Sequence, residues 1–202
     1  MTDPPQPSAA LVQKKRRPRS VTFAATLQLL LALTFLISTI VSYLYGPDAQ
    51  AAAEAQVVSQ GYPAAVLTQN NVRFKEGRIQ FALPIAIVLA LAALALLNLA
   101  GNRVGRILSW IFHPIMLIGG GYIIAGQVFT AQFLESAFKN SGNATLENIN
   151  VQAVVDAAAQ AFPTWLPYLL DAKFALATLG SLLIIILLAV PAAKTYFRKG
   201  EP

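Results

Sequence analysis

The chain has no cysteine, a single histidine, and charge on only 12% of its 202 residues. Without cysteine there is no disulfide, no thiolate nucleophile and no sulfur-ligated metal. His113 alone cannot build the ligand cluster that a transition metal needs. The shortage of charge is equally informative, because an average soluble domain is about 25% charged. The few charges also avoid four stretches altogether, 21–45, 79–100, 107–129 and 174–193. Transporters driven by protons or sodium place ionisable groups at membrane depth, where protonation is coupled to movement. These stretches offer no acid for that purpose, so neither catalysis, nor a metal, nor a cofactor is expected.

What fills the gap is apolar residue, 56% of the chain. Each charge-free stretch is close to the roughly 20 residues that carry a helix across a hydrocarbon core about 30 Å thick. None alternates as a barrel strand would, and a backbone in lipid must satisfy its own hydrogen bonds. The expected fold is therefore an all-α membrane protein with four transmembrane helices and two extracytoplasmic loops that contain short helices. Its expected divisions are a disordered basic cytoplasmic tail 1–20, TM1 21–45, an outer loop 46–78, TM2 79–100, a cytoplasmic turn 101–106, TM3 107–129, an outer loop 130–173, TM4 174–193 and a cytoplasmic tail 194–202. The first stretch follows Lys14-Lys15-Arg16-Arg17-Pro18-Arg19, so a secretory signal is its competing reading. Its length and the Tyr43-Leu44-Tyr45 at its end favour a retained span, since signal cores run about 7–15 residues.

Lys and Arg set the orientation. With the amino terminus inside, ten of the fifteen basic residues are cytoplasmic: Lys14, Lys15, Arg16, Arg17, Arg19, Arg103, Arg106, Lys194, Arg198 and Lys199. Arg73, Lys75, Arg78, Lys139 and Lys173 fall outside, together with seven of the nine acids. Both termini are thus expected in the cytoplasm at the plasma membrane. The basic pI is a topological effect and implies no nucleic-acid partner. Lys14, Lys15, Arg16, Arg17 and Arg19 act as a topology determinant or touch anionic lipid headgroups.

The outer loops hold the remaining structure. Pro47 to Val58 is alanine-rich and suits a helix. Val151, Val154, Val155, Ala158 and Phe162 recur at helical spacing, an amphipathic stripe that either lies on lipid or packs against a partner. Within the spans, small residues allow helices to approach. Candidate packing or partner faces are Ala82, Ala86, Ala90 and Ala93 in the second span and Gly119, Gly120 and Gly121 in the third. Thr34, Ser38 and Ser42 form a hydroxyl stripe on the first, explained by bonds to their own backbone. His113-Pro114 has two readings: a titratable group on a water-filled path, or a neutral histidine bonded to a neighbouring helix. Asn143-Ala144-Thr145 fits a glycosylation sequon, and Gly101-Asn102-Arg103-Val104-Gly105 has GxxxG spacing but lies in the inner turn.

The Pro- and Arg-rich start, the four spans, the turn Asn102-Arg103-Val104-Gly105-Arg106-Ile107-Leu108-Ser109-Trp110 and the alanine-rich outer loops resemble small actinobacterial membrane proteins. In size and layout the chain is similar to the LucB-like four-span accessory subunits of the mycobacterial mammalian-cell-entry (Mce) lipid importer. The resemblance is one of architecture across the whole chain. It implies an auxiliary subunit that forms a hetero-oligomer with permease-type membrane subunits in an ATP-driven lipid or fatty-acid import system. The ATPase and permease would be other chains. Two other classes stay open, a small autonomous transporter or channel and a free-standing envelope protein.

Overall fold

A computed structural model describes residues 17–75, 77 and 79–198. Lys14, Lys15, Arg16, Arg78 and Lys199 lie outside the described residues, as does most of the expected disordered tail; Arg17 and Arg19 are exposed at the start of the first helix. The described residues form helices and connecting turns, with no strand among them. Four helical runs are long and apolar enough to cross a membrane: Arg19–Ser59, Ala82–Leu99, Arg103–Gly126 and Leu166–Ala189. The protein therefore has the architecture of a multi-pass membrane protein.

Helix α1 (Arg19–Ser59) has 41 residues and passes straight through Pro47. The expected span and the expected loop helix are one rod of about 60 Å, about twice the thickness of a hydrocarbon core. Its second half therefore stands clear of any bilayer that its first half crosses. A short α2 (Ala65–Gln69) follows, and then α3 (Ala82–Leu99). A turn of Ala100 to Asn102, shorter than expected, leads to α4 (Arg103–Ile115). Gly101 takes a left-handed φ of +72° in that turn, and the Asn102 side chain accepts from the Val104 N–H at 2.8 Å to cap α4.

The third run changes pitch once. Pro114 has no N–H to give to the preceding turn, and a π-helical turn over Met116–Gly120 follows before α5 (Gly121–Val128). The outer segments are α6 (Thr130–Lys139), α7 (Ala144–Glu147) and α8 (Val151–Gln160). The fourth run begins earlier than expected, with α9 (Leu166–Ala175), a second π-helical turn at Leu176–Gly180, and α10 (Ser181–Ala189). After a break at Val190, α11 (Pro191–Phe197) closes the bundle. The two π-helical turns pack against each other, and a Cβ on Gly121 would sit 3.4 Å from Thr178 Cγ2.

Three apolar cores are strung along α1. Val21 and Ala24 meet Ile184, Leu188, Ala193 and Phe197. Leu31, Ala32 and Phe35 meet Leu91, Met116, Ile124 and Ala177. Ala49, Ala53 and Val57 meet Val66, Leu67, Phe138, Leu146, Ile149 and one face of α8. At the α11 end, the Tyr196 hydroxyl donates to Leu99 O at 2.8 Å. The Arg106 Nε–H donates to Leu188 O at 3.0 Å, with its guanidinium over the Trp110 ring.

Gly105 lies in close contact with α3. A Cβ there would lie 2.5 Å from Leu97 Cβ, a carbon fixed directly to the backbone that cannot swing away. Gly119, by contrast, faces open space. Gly105→Ala should therefore destabilise the bundle by about 1–3 kcal/mol, whereas Gly119→Ala should leave it unchanged. Thermal unfolding of the two variants in the same detergent checks the difference, and equal melting temperatures would refute the close-contact account.

Candidate functional site

Between the first and second cores lies a layer of polar side chains, one or two from each membrane-spanning run. Gln28 comes from α1, Asn98 from α3, Ser109 and His113 from α4, and Ser181 from α10; all five are fully buried. The Gln28 amide N–H donates to Ser109 Oγ at 3.1 Å and to His113 Nε2 at 3.0 Å. The Asn98 Nδ2 donates to Gln28 Oε1 at 3.1 Å and to Ser109 Oγ at 2.8 Å. Ser109 in turn donates to Gly105 O at 2.8 Å. His113 Nδ1 lies 3.1 Å from Ser181 Oγ. An amide can only donate through its nitrogen, so His113 Nε2 accepts and Nδ1 carries the ring proton toward Ser181. The geometry holds a neutral imidazole and fits the second of the two readings of His113. Asn98 Oδ1 is the one atom of the layer with no partner. The His113–Ser181 contact is the layer's one pairing of a hydroxyl with an imidazole, and in this tautomer the ring donates to the hydroxyl. No group of three His, Cys, Asp or Glu side chains among the described residues is placed to hold a metal.

Farther along α1, between the second and third cores, a cleft of about 1120 Å³ opens among α1, α3, α8 and α9. Its wall includes Phe35, Ser38, Thr39 and Ser42 of α1, Leu83 and Ile87 of α3, Ile124 of α5, and Asp171 and Lys173 of α9. Lys173 is 3% exposed. Its Nζ donates to Ser38 Oγ at 3.3 Å and stands 5.2 Å from the centre of the Phe35 ring. Arg73, Asp156 and Asp171, the other charges on the wall, are exposed.

This lysine was expected in the outer loop, just before a span that starts at residue 174. The helix instead runs on from Leu166, so Lys173 and Asp171 belong to the same membrane-length run as the apolar residues behind them. The absence of ionisable groups inferred for 174–193 holds for those residues but not for the whole helix.

Two members of the hydroxyl stripe bond their own backbone three residues back, Thr34 to Leu31 O at 2.8 Å and Ser38 to Phe35 O at 3.0 Å. The α8 stripe is used within the chain. Val151, Val154 and Ala158 are buried against α1, with Val155 and Phe162 packed beside them. Asn150 and Gln60 clamp this contact, the Asn150 N–H donating to Gln60 Oε1 at 2.7 Å. Val151, Val154 and Ala158 are thereby closed to lipid or a partner, while Val155 and Phe162 stay half-buried at the edge of the cleft. Of the small-residue candidates, Ala82, Ala86 and Ala93 are exposed and Ala90 is half-buried, because α3 turns Leu91, Leu94, Ala95 and Asn98 inward. Gly119 is exposed, while Gly120 and Gly121 are buried; a Cβ on Gly120 would meet Met116 Cε at 2.7 Å. Asn143 caps α7, its side chain accepting from the Thr145 N–H at 3.0 Å.

Gln28, Asn98 and Ser109 went unnoticed in the sequence, although a Gln, an Asn and a Ser inside otherwise apolar stretches were a readable signal. No protein-family model, no curated protein and no solved structure matches the chain.

Gln28 is the hub of the polar layer, so Gln28→Leu strands Asn98 and His113 without replacing their bonds. The expected cost is about 1–3 kcal/mol for each buried group left unpaired. Ser181→Ala removes one bond at the edge and should cost about 1 kcal/mol. Detergent unfolding curves check the order, which would be reversed or flat if the layer did not hold the helices together.

Proposed function

We propose that the chain is a non-catalytic accessory subunit of a larger membrane complex, an ATP-driven lipid or fatty-acid import system whose ATPase and permease are separate chains. It sits in the plasma membrane with both termini cytoplasmic, as the ten-to-five division of basic residues favours. The observation that carries the reading is the unused face of α3. Leu91, Leu94, Ala95 and Asn98 serve the bundle, which leaves Ala82, Ala86 and Ala93 turned outward. In lipid, helices associate through close backbone packing, and such a face allows it. The resemblance in size and layout to LucB-like subunits of the mycobacterial Mce importer supports the same reading.

A second reading, a small autonomous transporter, draws support from Lys173 and Asp171 in the fourth run, because ionisable residues at membrane depth mark substrate paths. Against it stands the closed, neutral layer around His113 that crosses the bundle below the cleft.

Co-purification separates the two. The wild-type chain extracted in a mild detergent should bring permease-type subunits with it, and Ala86→Leu should lose them while remaining inserted and folded. Gly120→Leu is unsuitable for this purpose because Gly120 is buried within the chain's own bundle beside Met116. In the same membranes, a single cysteine at Gln56 should react with an impermeant maleimide from outside and one at Asn102 should not. Purification of the wild type alone, or an Ala86→Leu variant that keeps its partners, contradicts the accessory role on this face.

A further inference from the structure

We propose that the cleft between α1, α3, α8 and α9 holds a zwitterionic phospholipid of the phosphatidylethanolamine type, its chains in the apolar depth and its head at the exposed charges of the wall. The inference stands on the cleft alone and does not rest on the accessory-subunit reading.

The cleft lies where the apolar runs end. Leu83 and Ile87 belong to the first two turns of α3, Ile124 to the second half of α5, and Leu166 and Leu170 to the start of α9. Aromatic rings gather at the same ends: Tyr43 stands edge-on to Phe81 at 5.8 Å, and Trp165 and Tyr168 are exposed. Rings of this kind mark the headgroup level of a bilayer. The depth of the cleft thus faces the acyl region of that leaflet, and its mouth faces the headgroups. Its volume of about 1120 Å³ lies just above the range of roughly 300–1,000 Å³ that suits small organic ligands, which leaves room for lipid chains.

The polar groups in the depth are already engaged with one another. The Ser38 and Thr39 hydroxyls donate to Phe35 O at 3.0 and 2.8 Å. Ser38 Oγ accepts from Lys173 Nζ at 3.3 Å, and that ammonium also lies 5.2 Å from the centre of the Phe35 ring. The interior therefore asks for no charged head, and Phe35, Leu83, Ile87 and Ile124 line it for hydrocarbon. The charges of the wall that meet water are Arg73, Asp156 and Asp171. One base and two acids match a head that carries both signs. The guanidinium suits a phosphate, the carboxylates suit an ammonium, and the excess of acid disfavours a head with a net negative charge. An ethanolamine ammonium has three N–H donors to give to carboxylates, as lysine has, whereas a choline is fully methylated and has none. The wall should tell the two apart.

The test places the purified full chain in phosphatidylcholine nanodiscs with a phosphatidylethanolamine that carries a diazirine in one acyl chain. Photolabelling of the wild type should fall on Phe35, Leu83, Ile87 or Ile124, a readout that does not depend on how any variant folds. Unlabelled phosphatidylethanolamine should displace the probe saturably, and phosphatidylglycerol at the same fraction of the bilayer should not. Replacing both exposed acids, Asp156→Asn with Asp171→Asn, should weaken probe binding about tenfold, and Arg73→Gln should weaken it about three- to fivefold, as the loss of exposed charge contacts implies. The proposal is overturned if labelling favours the outward residues Leu89 and Leu96, or if the double variant is labelled as efficiently as the wild type. It is equally overturned if phosphatidylglycerol or an uncharged hydrocarbon such as squalane displaces the probe as well as phosphatidylethanolamine does. Any of those results leaves the co-purification outcome untouched.

Discussion

A polar side chain inside a membrane helix has no water to fall back on, so its partner must come from another helix or from its own backbone. Gln28, Asn98, Ser109, His113 and Ser181 meet that requirement together, and in doing so they fix the relative rotation of all four runs. The apolar contacts on either side of the layer resemble the lipid they displace and discriminate poorly between one helix rotation and another. A hydrogen-bonded layer has one register. Gly105 works with it: the absence of a side chain lets α3 and α4 approach until Asn98 and Ser109 are 2.8 Å apart, and the Gly105 carbonyl accepts the Ser109 proton.

The second constraint is the length of α1. Because the helix does not stop at Pro47, one rod connects the apolar bundle to the segments packed on its far half. That continuity explains why the α8 stripe is buried. The exposed half of a rod rich in alanine offers Ala49, Ala53 and Val57 as a flat apolar face, and the stripe covers it. The cleft lies where this upper assembly and the bundle part, with Lys173 reaching across to Ser38 at its inner end.

Much of the architecture was legible in the sequence, since charge-free apolar stretches of membrane length have few other structural solutions. The three-dimensional placement was harder to read. Pro47 and Gly46 suggest an ending, yet proline is tolerated in a helix where the carbonyl four residues back finds another partner or faces water, and no tertiary information in the local sequence reveals that. The start of the fourth run was placed at Phe174 because Lys173 and Asp171 are charged. Only the packing of α9 on α1 shows that a charged residue can belong to the buried part of the run. The periodicity of Val151 to Phe162 identified an apolar face correctly but could not say what covers it, because a stripe looks the same against lipid, a partner or its own chain. Gln28, Asn98 and Ser109 lie 81 residues apart at their extremes, so their convergence appears only once the helices are assembled.

The protonation pattern of the polar layer tests its geometry most directly, and the chain simplifies the measurement because it has one histidine. In an untagged, 15N-histidine-labelled preparation in lipid bilayers, solid-state NMR should show a neutral ring with the proton on Nδ1 and an unprotonated, hydrogen-bonded Nε2. That is the only tautomer compatible with a Gln28 amide donating to Nε2 and with Ser181 accepting from Nδ1. An Nε2–H tautomer, or an imidazolium at neutral pH, would contradict the layer and with it the account of how the four runs are held in register.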